Sequence, residues 1–96
     1  MRKITKDIIE AFENGINYKL GNSEVCTLPG GSDVKMYLHG HLIAKKDING
    51  LSITNCGYFT NVTKERLNGI SGVSISQEKG VWYLNGKTWD GEWINI

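Results

Sequence analysis

The sequence predicts an α+β fold: an N-terminal helix packed on a mainly antiparallel sheet, one short helix near 63–69, and a C-terminal β-meander. Three observations predict it. Apolar residues recur at helical spacing between Ile4 and Asn14. Val34-Lys35-Met36-Tyr37-Leu38 alternates with a period of two, as a half-buried strand does. Glycine, 12 of 96 residues, is spread as punctuation between short apolar runs, which implies many turns and short strands.

The first helix takes Ile8, Ala11 and Phe12 as its buried stripe and leaves Lys6, Glu10 and Glu13 toward water. Thr5 is the expected N-cap, Ile4 and Ile9 the expected staple across it, and Gly15 the residue that closes the far end. After a weak stretch from Ile16, a strand is expected between Ser23 and Leu28. Leu28-Pro29-Gly30-Gly31-Ser32-Asp33 then reads as a mobile loop. In the strand that follows, Val34, Met36 and Leu38 share one face. Gly40 marks a turn or bulge, Leu42 to Lys46 is a second strand, and Asn49-Gly50 supplies the left-handed pair of a hairpin returning as Leu51 to Thr54. Leu42, Ala44, Leu51 and Ile53 are expected on one face.

For the second helix Thr63 is the expected N-cap, with Val62 and Leu67 at staple spacing and Gly69 as the stop. That frame puts Lys64 and Arg66 in the first turn, where the helix dipole disfavours cations. The tail reads as strands Val73 to Gln77 and Val81 to Leu84, with turns at Glu78-Lys79-Gly80 and Asn85-Gly86. A two-residue loop at Asn85-Gly86 sets Trp82 opposite Trp89. No linker divides the chain, so residues 1–96 are expected to be a single domain.

Eleven basic and ten acidic residues give a net charge of +1, which is no electrostatic footprint for nucleic acid. No uninterrupted apolar stretch approaches the roughly 20 residues of a membrane-spanning helix. Met1-Arg2-Lys3-Ile4 runs straight into a charged helix without a secretory signal, so Cys26 and Cys56 are expected as free thiols in a reducing cytosol.

His39, His41, Cys26 and Cys56 are ligand types zinc accepts, but only the histidines are close in sequence, and two strand-edge histidines with two small thiols is the favoured reading. A Cys56–histidine nucleophile pair has nothing to mark the thiol as activated. No phosphate loop, His-Glu-x-x-His helix or serine elbow is present. The sequence therefore predicts no enzyme, no cofactor and no metal. Tyr37 and His39, on the strand face that also carries Lys35, combine an aromatic and a base in the way that single-stranded nucleic acid is held, and Lys45, Lys46, Lys64 and Arg66 extend that surface. A solvated face, or one covered by the N-terminal helix, is the favoured alternative. Of Trp82, Trp89 and Trp93, most are expected in the core, with any exposed member an anchor for a protein partner.

Lys35-Met36-Tyr37-Leu38-His39-Gly40-His41-Leu42-Ile43-Ala44, then Leu51-Ser52-Ile53-Thr54, Thr60 with Thr63, Arg66-Leu67-Asn68, and finally Gly80-Val81-Trp82-Tyr83-Leu84-Asn85-Gly86 resemble, in that order, a group of small proteins of tailed phages. His41 stands where an asparagine is common in that group. The resemblance implies a viral accessory protein, made in the cytoplasm of an infected bacterium, that binds a host or bacterial defence protein. RNA or single-stranded DNA is the alternative partner, and a homodimer is a base-rate expectation for a small β-rich chain with exposed edges. The expected partner-binding residues are Tyr37, His39, Lys45, Lys46, Arg66 and Trp93. Alanine at His39 or Arg66 is expected to leave folding nearly intact.

Overall fold

The computed structural model describes residues 2–28 and 33–96. Tight turns build its larger sheet. β1 (Tyr18–Leu20) returns through Gly21-Asn22 as β2 (Ser23–Thr27). Gly21 is left-handed at φ +58°, the conformation that the first residue of such a turn requires. β3 (Val34–Leu38) returns through His39-Gly40 as β4 (His41–Asp47), with both turn residues left-handed, at +52° and +80°. β4 returns as β5 (Gly50–Ile53) through Ile48-Asn49, one residue earlier than Asn49-Gly50 implied. There Gly50 alone is left-handed, and the Asp47 carboxylate fixes the bend by accepting the Asn49 N–H at 2.8 Å. Residues 29–32, from the stretch expected to be a mobile loop, lie outside the described residues.

All neighbours pair antiparallel, and the order β1-β2-β3-β4-β5 is completed by β9 (Ile94–Asn95) alongside β5. Val25, Met36, Ala44 and Ile53 form one continuous row across four strands, all buried. The expected alternation breaks in β4. A bulge makes Ile43 and Ala44 both buried while Leu42 is half-exposed, so Leu42 does not share the face of Ala44 and Ile53.

Helix α1 (Lys3–Asn14) lays Ile8, Ala11 and Phe12 on the buried side of this sheet, as the stripe predicts, and ends on left-handed Gly15. Its N-cap is Arg2 rather than Thr5. Thr5 lies inside the helix and buried, because its hydroxyl serves Glu65 and Arg66 of the second helix. α2 (Asn61–Asn68) is capped by Thr60, whose hydroxyl accepts the Thr63 N–H at 3.2 Å. The cap lies three residues before the expected Thr63, and the correction has a consequence. Arg66 falls in the last turn of α2, where the dipole favours a cation, so for Arg66 the apparent conflict with local physics disappears.

β6 (Ile75–Glu78), β7 (Val81–Leu84) and β8 (Lys87–Thr88) form a separate three-stranded sheet, not a continuation of the first. Its turns, Lys79-Gly80 and Asn85-Gly86, are left-handed at both positions. The Trp82 and Trp89 rings meet at 6.3 Å, as the two-residue loop requires. Ile75, Trp82, Leu84 and Trp89 enter the same apolar cluster as Met36, Ile53 and Leu67. Among the described residues no helix is long and apolar enough to cross a membrane.

Candidate functional site

The side of the larger sheet opposite α1 carries a second row across five strands: Cys26, Lys35, Lys45, Ser52 and Asn95. Tyr37, one pair along, sits between Glu24 of β2 and Leu42 of β4. Lys35 and Lys45 are direct cross-strand partners, an arrangement of like charges that destabilises a sheet. The Lys45 ammonium is drawn over the Trp93 ring, 5.0 Å from its centroid. Trp93 itself is 47% exposed, whereas Trp82 and Trp89 are buried.

The six residues singled out from the sequence therefore divide. Tyr37, Lys45 and Trp93 share this outer face with Lys35. His39 does not, because it occupies the turn beyond β3, where its N–H donates to Asn22 C=O at 2.7 Å. Lys46 points the other way. Its ammonium donates to the Phe12 and Glu13 carbonyls, each at 3.2 Å, and closes the C-terminal end of α1. Arg66 is 1% exposed and no part of a surface. Its Nε donates to Ser23 Oγ at 3.1 Å and its Nη1 to Glu65 at 2.9 Å and to Thr5 Oγ1. Lys64, also drawn into the basic surface, donates to Gln77 Oε1 at 2.8 Å.

Cys26 and Cys56 are both exposed free thiols. Partial desolvation by its neighbours and the adjacent Glu24 carboxylate raise the Cys26 thiol above its ordinary pKa, which opposes thiolate formation. Among the described residues no three metal-ligating side chains converge.

A concavity of about 310 Å³ lies between the β3–β4 turn and the segment leading into α2. Leu38, Ile43 and Val62 give it apolar walls. At its mouth the Tyr58 hydroxyl and His41 Nε2 are 3.0 Å apart, their rings tilted 37° with centroids at 4.9 Å. Asn55, Thr60 and Thr63 complete the lining. Asn55 is fully buried. Its Oδ1 accepts the Gly57 N–H at 2.8 Å, and its Nδ2 has no partner. Nothing local in the sequence announces this site, because Tyr58 and His41 stand 17 positions apart and meet only through the sheet. Two residues singled out from the sequence line it: His39, expected on the sheet face, and Thr63, expected as the cap of α2.

The family model of the Kyanoviridae Gp96 protein matches residues 1–95. The chain belongs to that family. The Kyanoviridae Gp96 match supports the phage source that the motif order implied, and it assigns no reaction or partner. No curated protein and no solved structure matches the chain.

Proposed function

We propose that this Kyanoviridae Gp96 protein is a non-enzymatic accessory protein that binds an acidic surface of a host or bacterial defence protein in the cytoplasm of the infected cell. The outer face of the larger sheet is the docking surface. The observation that carries the reading is the Lys35–Lys45 pair beside half-exposed Trp93. Facing lysines cost the free protein stability, and a carboxylate set between them relieves that repulsion on binding. Trp93 beside them supplies a large, rigid apolar anchor of the kind that dominates interface energetics. The phage family and the absence of a recognisable catalytic motif in the sequence fit the same reading.

Nucleic acid is the other candidate for a face with Tyr37 and two lysines. That reading loses Lys46 and Arg66, which are engaged inside the protein. Affinity capture of the tagged protein from infected host cells, with and without nuclease, separates the two. The expected outcome is one protein retained at stoichiometric yield after nuclease and lost from Trp93→Ala, which weakens binding by about 2 kcal/mol while the fold persists. Capture of nucleic acid, with every protein lost on digestion, overturns the proposal.

A further inference from the structure

We infer that the open edge of β9 pairs with β9 of a second copy of this chain, antiparallel and across a two-fold axis at Asn95. The inference rests on the backbone of β9 and not on the reading given to the outer sheet face.

The larger sheet has two edge strands, β1 and β9, and an edge offers unpaired backbone groups to another strand. The ladder fixes which groups of β9 are free. Ile96 N–H donates to Leu51 C=O at 2.7 Å, so Ile96 and, two residues earlier, Ile94 turn their backbone groups toward β5. Asn95, between them, turns its N–H and C=O away from the sheet. Among the described residues no strand lies on that side of β9.

The order of residues in the strand selects the partner. Ile94-Asn95-Ile96 reads the same in both directions. Antiparallel pairing about Asn95 therefore sets each Ile94 opposite Ile96 of the other copy, and Asn95 opposite Asn95, where the two exchange both backbone bonds. Ile94 and Ile96 are 40% and 39% exposed, and the cross-strand contact covers them. A contact with two-fold symmetry is satisfied by two copies and closes there.

The opposite edge supplies the contrast. Tyr18-Lys19-Leu20 has the same apolar–polar–apolar order but a lysine at its centre, so like pairing there opposes two ammonium groups. Residues 93–96 carry no charged side chain. An edge this short buries less than the roughly 800 Å² per partner of a standard complex, so the dimer is reversible and half formed on the order of 100 µM.

The test is sedimentation equilibrium of the untagged chain between about 10 µM and 1 mM, with ¹H–¹⁵N spectra over the same range. The expected result is a mass that climbs from one copy toward two, with the Asn95 backbone amide moving and the Lys19 amide still. Asn95→Lys and Asn95→Glu each set like charges at the axis and are expected to weaken dimerisation by about tenfold or more. An equimolar mixture of the two regains it as a heterodimer. The Asn95 side chain is exposed and donates to Ser52 Oγ at 3.3 Å, a surface contact whose loss leaves the fold in place, and the native chain's own dilution needs no variant. Three results overturn the inference: a chain that stays single at about 1 mM, a dimer whose Asn95 amide does not move, or charge variants that do not associate on mixing.

Discussion

Arg66 carries its guanidinium into the interior, where it bonds to both helices and to β2. A guanidinium at 1% exposure is expensive to bury, and it is tolerated here because its donors are used. Ser23 on β2, Thr5 on α1 and Glu65 on α2 all receive them, so one side chain ties three elements together. Burial lowers the Arg66 pKa, but the group stays charged at any working pH. The Thr5 hydroxyl passes its own proton toward Glu65, and together with Arg2 at 3.0 Å this holds the Glu65 carboxyl below its ordinary 4.5. A carboxyl with a depressed folded pKa contributes stability that is fully present above its unfolded pKa. That stability is lost as pH falls through the folded value. Arg66→Ala is therefore expected to cost about 3 kcal/mol and to lower the Tm by on the order of 15 °C. Glu65→Gln is expected to flatten the loss of stability below pH 4.5. Thermal melts between pH 3 and 7 check both, and an Arg66→Ala variant that melts like the native protein would return Arg66 to the surface role.

At the scale of elements, turns were legible and caps were ambiguous. Asn85-Gly86 was readable because two left-handed residues in succession are a local demand that few residue pairs meet. The stripe of α1 was readable for the same kind of reason, since its period needs no knowledge of the partner. Gly21-Asn22 carried an equally local signal for the β1–β2 hairpin, but Tyr18-Lys19-Leu20 is too short to show alternation. Thr60 and Thr63 are each acceptable caps three positions apart, and only the fold chooses between them. The choice has a measurable form. Thr60→Ala is expected to cost about 1 kcal/mol in chemical denaturation, and Thr60→Ser close to nothing. A larger loss from Thr60→Ser than from Thr60→Ala would place the cap elsewhere. Arg66 and the cleft were illegible because their partners are distant in sequence: Thr5 stands 61 positions from Arg66 and Ser23 43. The bulge at Ile43, and with it the exposure of Leu42, likewise depends on how β3 and β4 pair.

At the scale of the molecule, Gly91 joins the two sheets. Its carbonyl accepts the Thr54 hydroxyl at 2.6 Å and the Asn55 N–H at 3.0 Å, fastening the end of β5 to the segment that leads into β9. At φ +89° a side chain there is strained, and a Cβ would fall within the Asn55 carboxamide. Gly91→Ala is expected to cost about 3 kcal/mol from strain and overpacking combined. Equilibrium urea unfolding measures it, and a loss below about 1 kcal/mol would mean that the joint yields. The same joint sets an order of events. Hairpins of neighbouring strands close over short loops, whereas Asn95 reaches Ser52 across 43 positions, so the last strand docks after the loop-closure entropy of the whole smaller sheet has been met. β5 is then a bare edge during synthesis until β9 arrives. Contacts made this late are absent from the transition state, so the damage done by Gly91→Ala should emerge as faster unfolding with an unchanged folding rate.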